Sequence, residues 1–536
     1  MVAERLDKTR SAPSACASLT SAVTMLAIAL SATLVGLQTY PVRVEVEAMR
    51  GPPCFDLVGL AEAAVRESRV RVKSALAQVG VHITELALVV NLAPADVKKT
   101  GTGFDLAIAV AVLGAVGAVP REGIGQTLFV GELSLEGTVQ PLRGVLAQLV
   151  GARALGIARA IVPRANAAEA ALVNGIEVRS VASLRELLDA MSGRSTLPTV
   201  TRMPLPEVAP YVDDLIDVRG QAAARRALEV AAAGNHNLLM IGPPGAGKTM
   251  LARRLPGVLP GLTPDEALEV SAIHSVAGVL SPLHTVARAR PFRAPHHTVS
   301  EVGLVGGGDG PRPGEVSLAH HGVLFLDELA EFRRTALEAL RQPLEDGVVT
   351  ISRARMKATF PARMLLVCAM NPCACGWYGD GSGRCGCSAE RIRAYRARIS
   401  GPLLDRIDIH IALPPVALAA LQGGPRGESS EMVRARVQHA RSVQRARTDR
   451  GEVAAATNAA LGPRDLESVA GLCTEGARLL SMAVEKLSLS ARAYGKVLRV
   501  ARTIADLDAS DSIRSPHLAE AIGLRVLDRG ALAVAA

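Results

Sequence analysis

Aromatic side chains are scarce in this chain of 536 residues: one Trp, five Tyr and seven Phe amount to 2% of it. Stacking on bases therefore cannot be a widespread mode of binding, since each such contact needs an aromatic face. Long apolar runs are missing as well. No window offers the roughly 20 near-continuous apolar residues that a membrane span requires, so no membrane partner is expected. Eight cysteines over such a length do not make a disulfide framework. The first residues, Met1 to Arg10, are basic, and Ala22 to Leu37 is apolar, which superficially reads as a signal peptide. Ser31 and Thr33 interrupt that stretch, and it runs straight into the alternating Val42-Arg43-Val44-Glu45-Val46-Glu47, so residues 1–26 read as an extension before a folded strand, with Met25 able to serve as a start.

What is present is apolar mass, at 49%, and a net charge of +9. The first supplies sizeable cores for two or three domains, and the second suits a polyanionic partner bound through phosphates in a salt-sensitive way. The most informative motif is Gly242-Pro243-Pro244-Gly245-Ala246-Gly247-Lys248-Thr249, preceded by the apolar Asn237 to Ile241 and followed by a helix that includes Met250. It satisfies G-x-x-x-x-G-K-[ST] in the strand-loop-helix setting that the motif needs. Glycines let successive N–H groups turn toward phosphate oxygens, Lys248 reaches the β- and γ-phosphates, and the Thr249 hydroxyl serves Mg²⁺. Residues Gly242 to Met250 are thus expected to bind ATP.

A second apolar strand, Gly322 to Leu326, ends in Asp327-Glu328. Asp327 is expected to hold Mg²⁺ and Glu328 to polarise the attacking water, because phosphoryl transfer asks chiefly for positioning and charge stabilisation. A third, Met364 to Met370, ends at Asn371, suited to orient that water as sensor 1. Arg406, in Leu403-Leu404-Asp405-Arg406-Ile407-Asp408, is expected to reach the nucleotide of a neighbouring subunit as an arginine finger, and Arg492 to act as sensor 2, with Arg499 a weaker candidate.

Pro291-Phe292-Arg293-Ala294-Pro295-His296-His297, Gly306-Gly307-Gly308, Pro313 to His320 and Leu403 to Asp408 occur together and in order. With them the chain resembles the ComM/YifB family of Mg-chelatase-like AAA+ ATPases from about residue 27 to about residue 527. That resemblance implies a cytoplasmic, homo-hexameric ATPase acting on single-stranded or branched DNA, associated with DNA uptake and branch migration. It also implies an α/β fold: residues 27–194 a Lon-protease-like α+β domain of the ribosomal S5 domain 2 type, 195–212 a Pro-rich linker, 213–425 the P-loop AAA+ core, and 426–536 a helical lid. Short apolar strands (Glu85 to Asn91, Thr127 to Gly131) alternate in the first domain with helices expected over Leu60 to Gln78 and Phe104 to Val116. Matching Lon-type peptidases to it places Gly103 at their serine and Leu146 at their lysine, so peptidase chemistry is not expected. Asp214 to Gln221 reads as the approach to the adenine, and Leu421 to Gly427 as the passage into the lid.

Asp346 to Phe360 reads as two short strands around a basic tip, Arg353, Arg355 and Lys357, and resembles the pre-sensor-1 hairpin of MCM-type helicases. These three residues are the expected DNA contacts, with the glycine-rich Gly306 to Pro313 as a second pore element. The helix from Glu431 to Arg450, carrying Arg434, Arg436, Arg441, Arg445 and Arg447, either adds phosphate contacts or presents a solvated face. Cys373, Cys375, Cys385 and Cys387 make either one tetrahedral Zn²⁺ site or four reduced thiols. Cys16, Cys54, Cys368 and Cys473 are scattered, and His296 and His297 are expected to be buried and hydrogen-bonded. Chelatase work or protein remodelling are the alternatives to a DNA motor.

Overall fold

The computed structural model describes residues 25–201, 213–280, 287–308, 310–353, 356–417, 422 and 426–529. The expected extension before Met25, Cys16, the linker residues 202–212, the hairpin tip residue Arg355 and most of the Leu421 to Gly427 passage lie outside the described residues, as does the side chain of Arg353.

The chain is a mixed α/β protein built on two large sheets and a C-terminal helical region. The first sheet has seven strands in the order 54–58, 86–93, 38–50, 25–35, 127–129, 159–163, 177–181. Its long hairpin, Met25–Val35 against Gln38–Arg50, is antiparallel. Alternation sends Val42, Val44 and Val46 fully inward and Arg43 and Glu45 outward, as period two in a half-buried strand dictates. Under this sheet lies Asp105–Ala115, every residue of which is buried. Its Asp105 is held by a two-pronged ion pair from Arg71, at 2.6 and 3.0 Å. Burial pushes the Asp105 carboxyl up, and Arg71, Ser68 and the Leu133 N–H oppose that.

One expected helix is divided. Leu60 takes a positive φ of 55°, and Lys99 bridges to the segment behind it, donating N–H to Leu60 O while its own carbonyl accepts from Glu62 N. Helix therefore begins only at Ala63 and restarts at Ser68–Gln78. This tertiary bridge overrides a local helical preference.

The second sheet has five parallel strands in the order 292–293, 323–326, 365–370, 238–241, 409–412. Strands 238–241, 323–326 and 365–370 are buried throughout, as expected of a parallel sheet covered on both faces. Asn237 pins its register. The Asn237 side chain accepts from Leu366 N at 3.0 Å and donates to Arg406 O at 2.9 Å, while its backbone N–H meets Asp408 Oδ2 at 3.1 Å.

The two halves are in contact. Helix Val145–Ala154 of the first packs on helix Pro264–Ala277 of the second. Between them Gly144 N donates to Ser275 O and Oγ, and Ser275 Oγ donates to Glu169 Oε2 at 2.7 Å. A side chain at Gly144, where φ is +78°, would meet Leu34 Cδ1 at 2.6 Å. Likewise Gly36, at the turn of the first hairpin, rests against Ala358 and Thr359.

The lid helix Ser430–Asp449 spends most of its arginines on internal contacts. Arg434 donates to Gly257 O, Arg436 pairs with Glu229 and Glu428, Arg441 donates to Ala232 O, and Arg447 pairs with buried Asp506. Of the five, Arg445 is exposed. Neither a row of phosphate contacts nor a freely solvated basic face describes this helix, because its positive side is the side that clamps the half built on the five-stranded sheet.

Asn237→Ala should remove two side-chain hydrogen bonds and leave Leu366 N and Arg406 O unpaired inside the protein. A loss of about 2–4 kcal/mol is expected, read as a lower urea midpoint for the half built on the five-stranded sheet, whereas an unchanged midpoint would remove Asn237 from its place as the register pin.

Candidate functional site

Strand 238–241 ends at Gly242, where a Cβ would meet Leu413 O at 2.8 Å, so only glycine lets the chain leave the sheet here. Gly245 and Gly247 then adopt φ of +80° and +87°, left-handed values that glycine takes without strain. Gly247 caps helix Lys248–Val258. A helix N-terminus behind a left-handed glycine loop presents unpaired N–H groups to an anion.

Around that loop the ends of three adjacent strands converge. Lys248 Nζ donates to Gly242 O at 2.6 Å, Pro243 O at 3.0 Å and Asn371 Oδ1 at 3.2 Å. Burial lowers the Lys248 pKa, and the nearby Asp327 and Glu328 oppose that. Thr249 Oγ1 donates to Asp327 Oδ2 at 2.6 Å. A hydroxyl and a carboxylate in contact at the loop's end are the two oxygen donors that Mg²⁺ takes in P-loop enzymes. Glu328 has φ of +52°, a costly value for a non-glycine residue. Its N–H donates to Asp327 Oδ1, and its side chain is exposed next to the loop. Met250 follows on the first helical turn, with an exposed side chain. The structure thus brings together Gly242 to Met250, Asp327, Glu328 and Asn371.

Arg406 lies on other partners. It is paired with Glu345 and donates to Arg341 O and Pro402 O. Arg492 is exposed at the start of helix Ala491–Leu507 and faces Asp405 at 3.6 Å. Arg499 is tied to Leu461 O. Beneath them, Lys496 Nζ lies 3.2 Å from Asp408, joining the lid to strand 409–412. Burial acts to raise the Asp408 pKa, but Lys496 and His236 hold it well below the usual carboxylate range.

The basic hairpin is present: strands Val348–Arg353 and Met356–Pro361 pair antiparallel, with Ser352 opposite Lys357 and Arg353 opposite Met356. Lys357 is exposed. The second expected element is a small hairpin in which Gly306–Gly307 pairs with Arg312–Pro313. A Cβ on Gly306 would stand 3.1 Å from Ile351 Cδ1, so the two hairpins touch.

The four cysteines also converge. Cys373 Sγ lies 3.4 Å from Cys375 Sγ and 3.8 Å from Cys385 Sγ, Cys375 and Cys385 are 3.6 Å apart, and all four sulfurs fall within 4.8 Å of one another. Another cluster, Glu269, His320 and His321, has metal-like composition but is closed on itself. Arg363 N–H donates to His320 Nδ1, which leaves the proton on Nε2, and that proton is committed to Glu269 Oε2 at 3.0 Å.

His297 corrects an expectation. Neither histidine of the pair is fully buried; His296 is exposed, and His297 Nδ1 lies 3.2 Å from Glu328 Oε2. The segment continues from edge strand 292–293, which pairs beside strand 323–326. Asn237 and Glu345 belong to the site's framework and carry no local sequence signal, and the motif that holds His297 gives none of its approach to Glu328. Each meets its partner through the fold, at separations of 31 to 171 residues, and only an alignment of many relatives could have marked them.

Three family models match the chain: one described as subunit ChlI of Mg-chelatase over residues 44–166, one as magnesium chelatase, subunit ChlI, over 214–421, and one as its C-terminal part over 427–525. Full-length relatives are similar throughout. Competence protein ComM of Haemophilus influenzae is 43% identical over 509 residues, covering 94% of this chain and 98% of the relative. YifB of Escherichia coli is 42% identical over the same span, with the same coverage, and YifB of Salmonella typhimurium is 41% identical over 508 residues. With the P-loop geometry, the five-stranded parallel sheet and this full-length likeness, the chain belongs to the ComM/YifB family of Mg-chelatase-like AAA+ proteins.

Proposed function

We propose that this protein is a cytoplasmic, ATP-hydrolysing motor that assembles into a homo-hexameric ring and moves or remodels single-stranded or branched DNA. The observation that carries the reading is a short mechanical path: the basic hairpin 348–361 leads directly into strand 365–370, at whose end Asn371 touches Lys248. A change at the nucleotide that displaces Asn371 is passed down that strand to a positively charged tip, and the neighbouring glycine hairpin follows through Gly306 and Ile351. Differential affinity of the tip for DNA in the two nucleotide states is what a motor needs.

At the nucleotide site, Gly242 to Met250 cradle the phosphates of ATP, with Lys248 released from the loop carbonyls to meet the γ-phosphate. Thr249 and Asp327 hold Mg²⁺, which supplies charge neutralisation when bound. Glu328 accepts a proton from the attacking water, Asn371 orients that water, Arg492 reaches over from the lid, and Arg406 enters the site of the adjacent subunit. None of Arg406's described partners belongs to the P-loop, which suits a residue serving a neighbour. Arg353, Arg355 and Lys357 face DNA in the channel. The proposal includes a tie to DNA uptake and recombination, and the name competence protein carried by the Haemophilus relative supports the first part of it. The four cysteines hold one structural Zn²⁺.

Lys248→Ala is expected to lose ATP binding, while Glu328→Gln binds ATP normally and hydrolyses it at least about a hundredfold more slowly; normal turnover by Glu328→Gln ends that assignment. Arg406→Ala should bind ATP and lose about a thousandfold in turnover. Mixing it with Lys248→Ala subunits should recover activity, and no recovery after demonstrated subunit exchange would contradict a finger in trans. Steady-state ATPase measured without DNA and with single-stranded, duplex and branched DNA should rise with the preferred DNA and fall with salt. Lys357→Ala and Arg353→Ala should flatten that rise; a rate indifferent to every DNA would move the client to a protein or a chelatase-type substrate.

A further inference from the structure

The segment from Asn371 to Ser388 contains no helix or strand, and a structureless loop of this length inside a domain needs something to close it. The four sulfurs supply the means. A Zn–S bond of about 2.3 Å sets the edges of a thiolate tetrahedron at about 3.8 Å, and the sulfur separations of 3.4, 3.6 and 3.8 Å lie on that scale. They are far longer than the roughly 2.05 Å of a disulfide, and all four thiols are free.

The loop is placed where closing it matters. Cys373 is buried and stands two residues beyond Asn371. Gly376, in its first turn at φ +88°, has no room for a side chain: a Cβ would lie 2.9 Å from Pro244 Cδ and 4.0 Å from Asn371 Cγ. The turn therefore rests on the P-loop and on Asn371 together. At its far end the loop enters helix Ala389–Arg396, whose last residue donates two hydrogen bonds back to Pro372 O, at 3.2 and 3.1 Å. From there the chain runs directly to Ser400–Asp405 and Arg406. The cysteine loop is thus the covalent link between Asn371, which touches this subunit's nucleotide loop, and Arg406.

We propose that the four cysteines hold a zinc-type divalent ion whose task is to fix the loop against Pro244 and Asn371, so that metal occupancy controls the hydrolysis step and not nucleotide binding. The inference rests on the ATPase reading and on the Zn²⁺ assignment above, and adds the coupling between them. Phosphate binding depends on backbone N–H groups and Lys248, which the loop does not supply. The position of Asn371 does depend on the loop, and a displacement of about 1 Å in a positioning group can cost about a hundredfold in rate.

The test uses full-length protein and the pair of cysteines farther along the loop, leaving buried Cys373 intact. Metal analysis should find one zinc per chain in the wild type and none in the Cys385→Ser/Cys387→Ser variant, and Co²⁺ reconstitution of the wild type should give the absorption of a tetrahedral thiolate site. The variant should keep its circular dichroism and bind a fluorescent ATP analogue as the wild type does, within about threefold, while kcat falls by about a hundredfold. Gly376→Ala provides the complementary case, retaining zinc and losing kcat. Wild-type protein without metal, or with the visible absorption of an iron centre, overturns the Zn²⁺ site. Loss of zinc with turnover intact, or loss of nucleotide affinity in step with turnover, overturns the coupling. A metal-loaded wild type with no ATPase under any condition points instead to failure of the ATPase reading.

Discussion

The site depends on the register of three neighbouring parallel strands, 365–370, 238–241 and 409–412, and one half-buried amide sets that register. Asn237 stands where strand 238–241 begins and bonds sideways to strand 365–370 on one flank and to the Arg406–Asp408 segment on the other. Because side chains repeat every two residues, a one-residue slip would turn every following side chain to the opposite face. Lys248 and Asn371 could not then meet at one end of the sheet. A charged or apolar residue in this place could not both accept from Leu366 N and donate to Arg406 O, which is why an amide occupies it.

From that fixed frame, polar contacts radiate in two directions. Toward the lid, Asp408 is held ionised by Lys496 and His236, and His236 Nε2 lies 2.7 Å from Thr503. Arg447 and Arg502 converge on Asp506 within the lid itself. Toward the first half of the chain, Glu169, Ser275 and Gly144 join helix 145–154 to helix 264–277. Burial pushes the Glu169 carboxyl up, although Ser275 and Asn166 bond to it. The Gly36 turn reaches the middle of the basic hairpin's second strand, at Ala358 and Thr359. A first domain in contact with the element proposed to grip DNA is placed to brace it, a structural use for a fold whose peptidase-matching positions hold Gly103 and the buried Leu146.

Much of this was legible in the chain itself. The P-loop, the Asp327-Glu328 strand and the strand ending at Asn371 are linear motifs whose chemistry sits within a few consecutive residues, and the hairpin showed itself as alternation around a basic tip. The cysteines could be grouped by spacing, although only the fold showed that their sulfurs meet. What remained hidden depends on long-range pairing. The arginines of helix 430–449 look the same in sequence whether they face water, phosphate or Glu229 and Asp506. His297 carries no mark of its approach to Glu328, and the break at Leu60 comes from a bridge to Lys99, 39 positions away. Local propensity cannot register a partner that only tertiary structure supplies.

The central claim is that nucleotide state and the basic hairpin are mechanically joined. The direct measurement places a photoreactive residue at position 357 and records crosslinking to single-stranded DNA, with and without ATP, in protein that carries Glu328→Gln so that ATP stays bound. The account predicts a crosslink from the hairpin whose yield changes severalfold when ATP binds. A yield that ignores nucleotide, or DNA captured elsewhere while position 357 stays unlabelled, would contradict it.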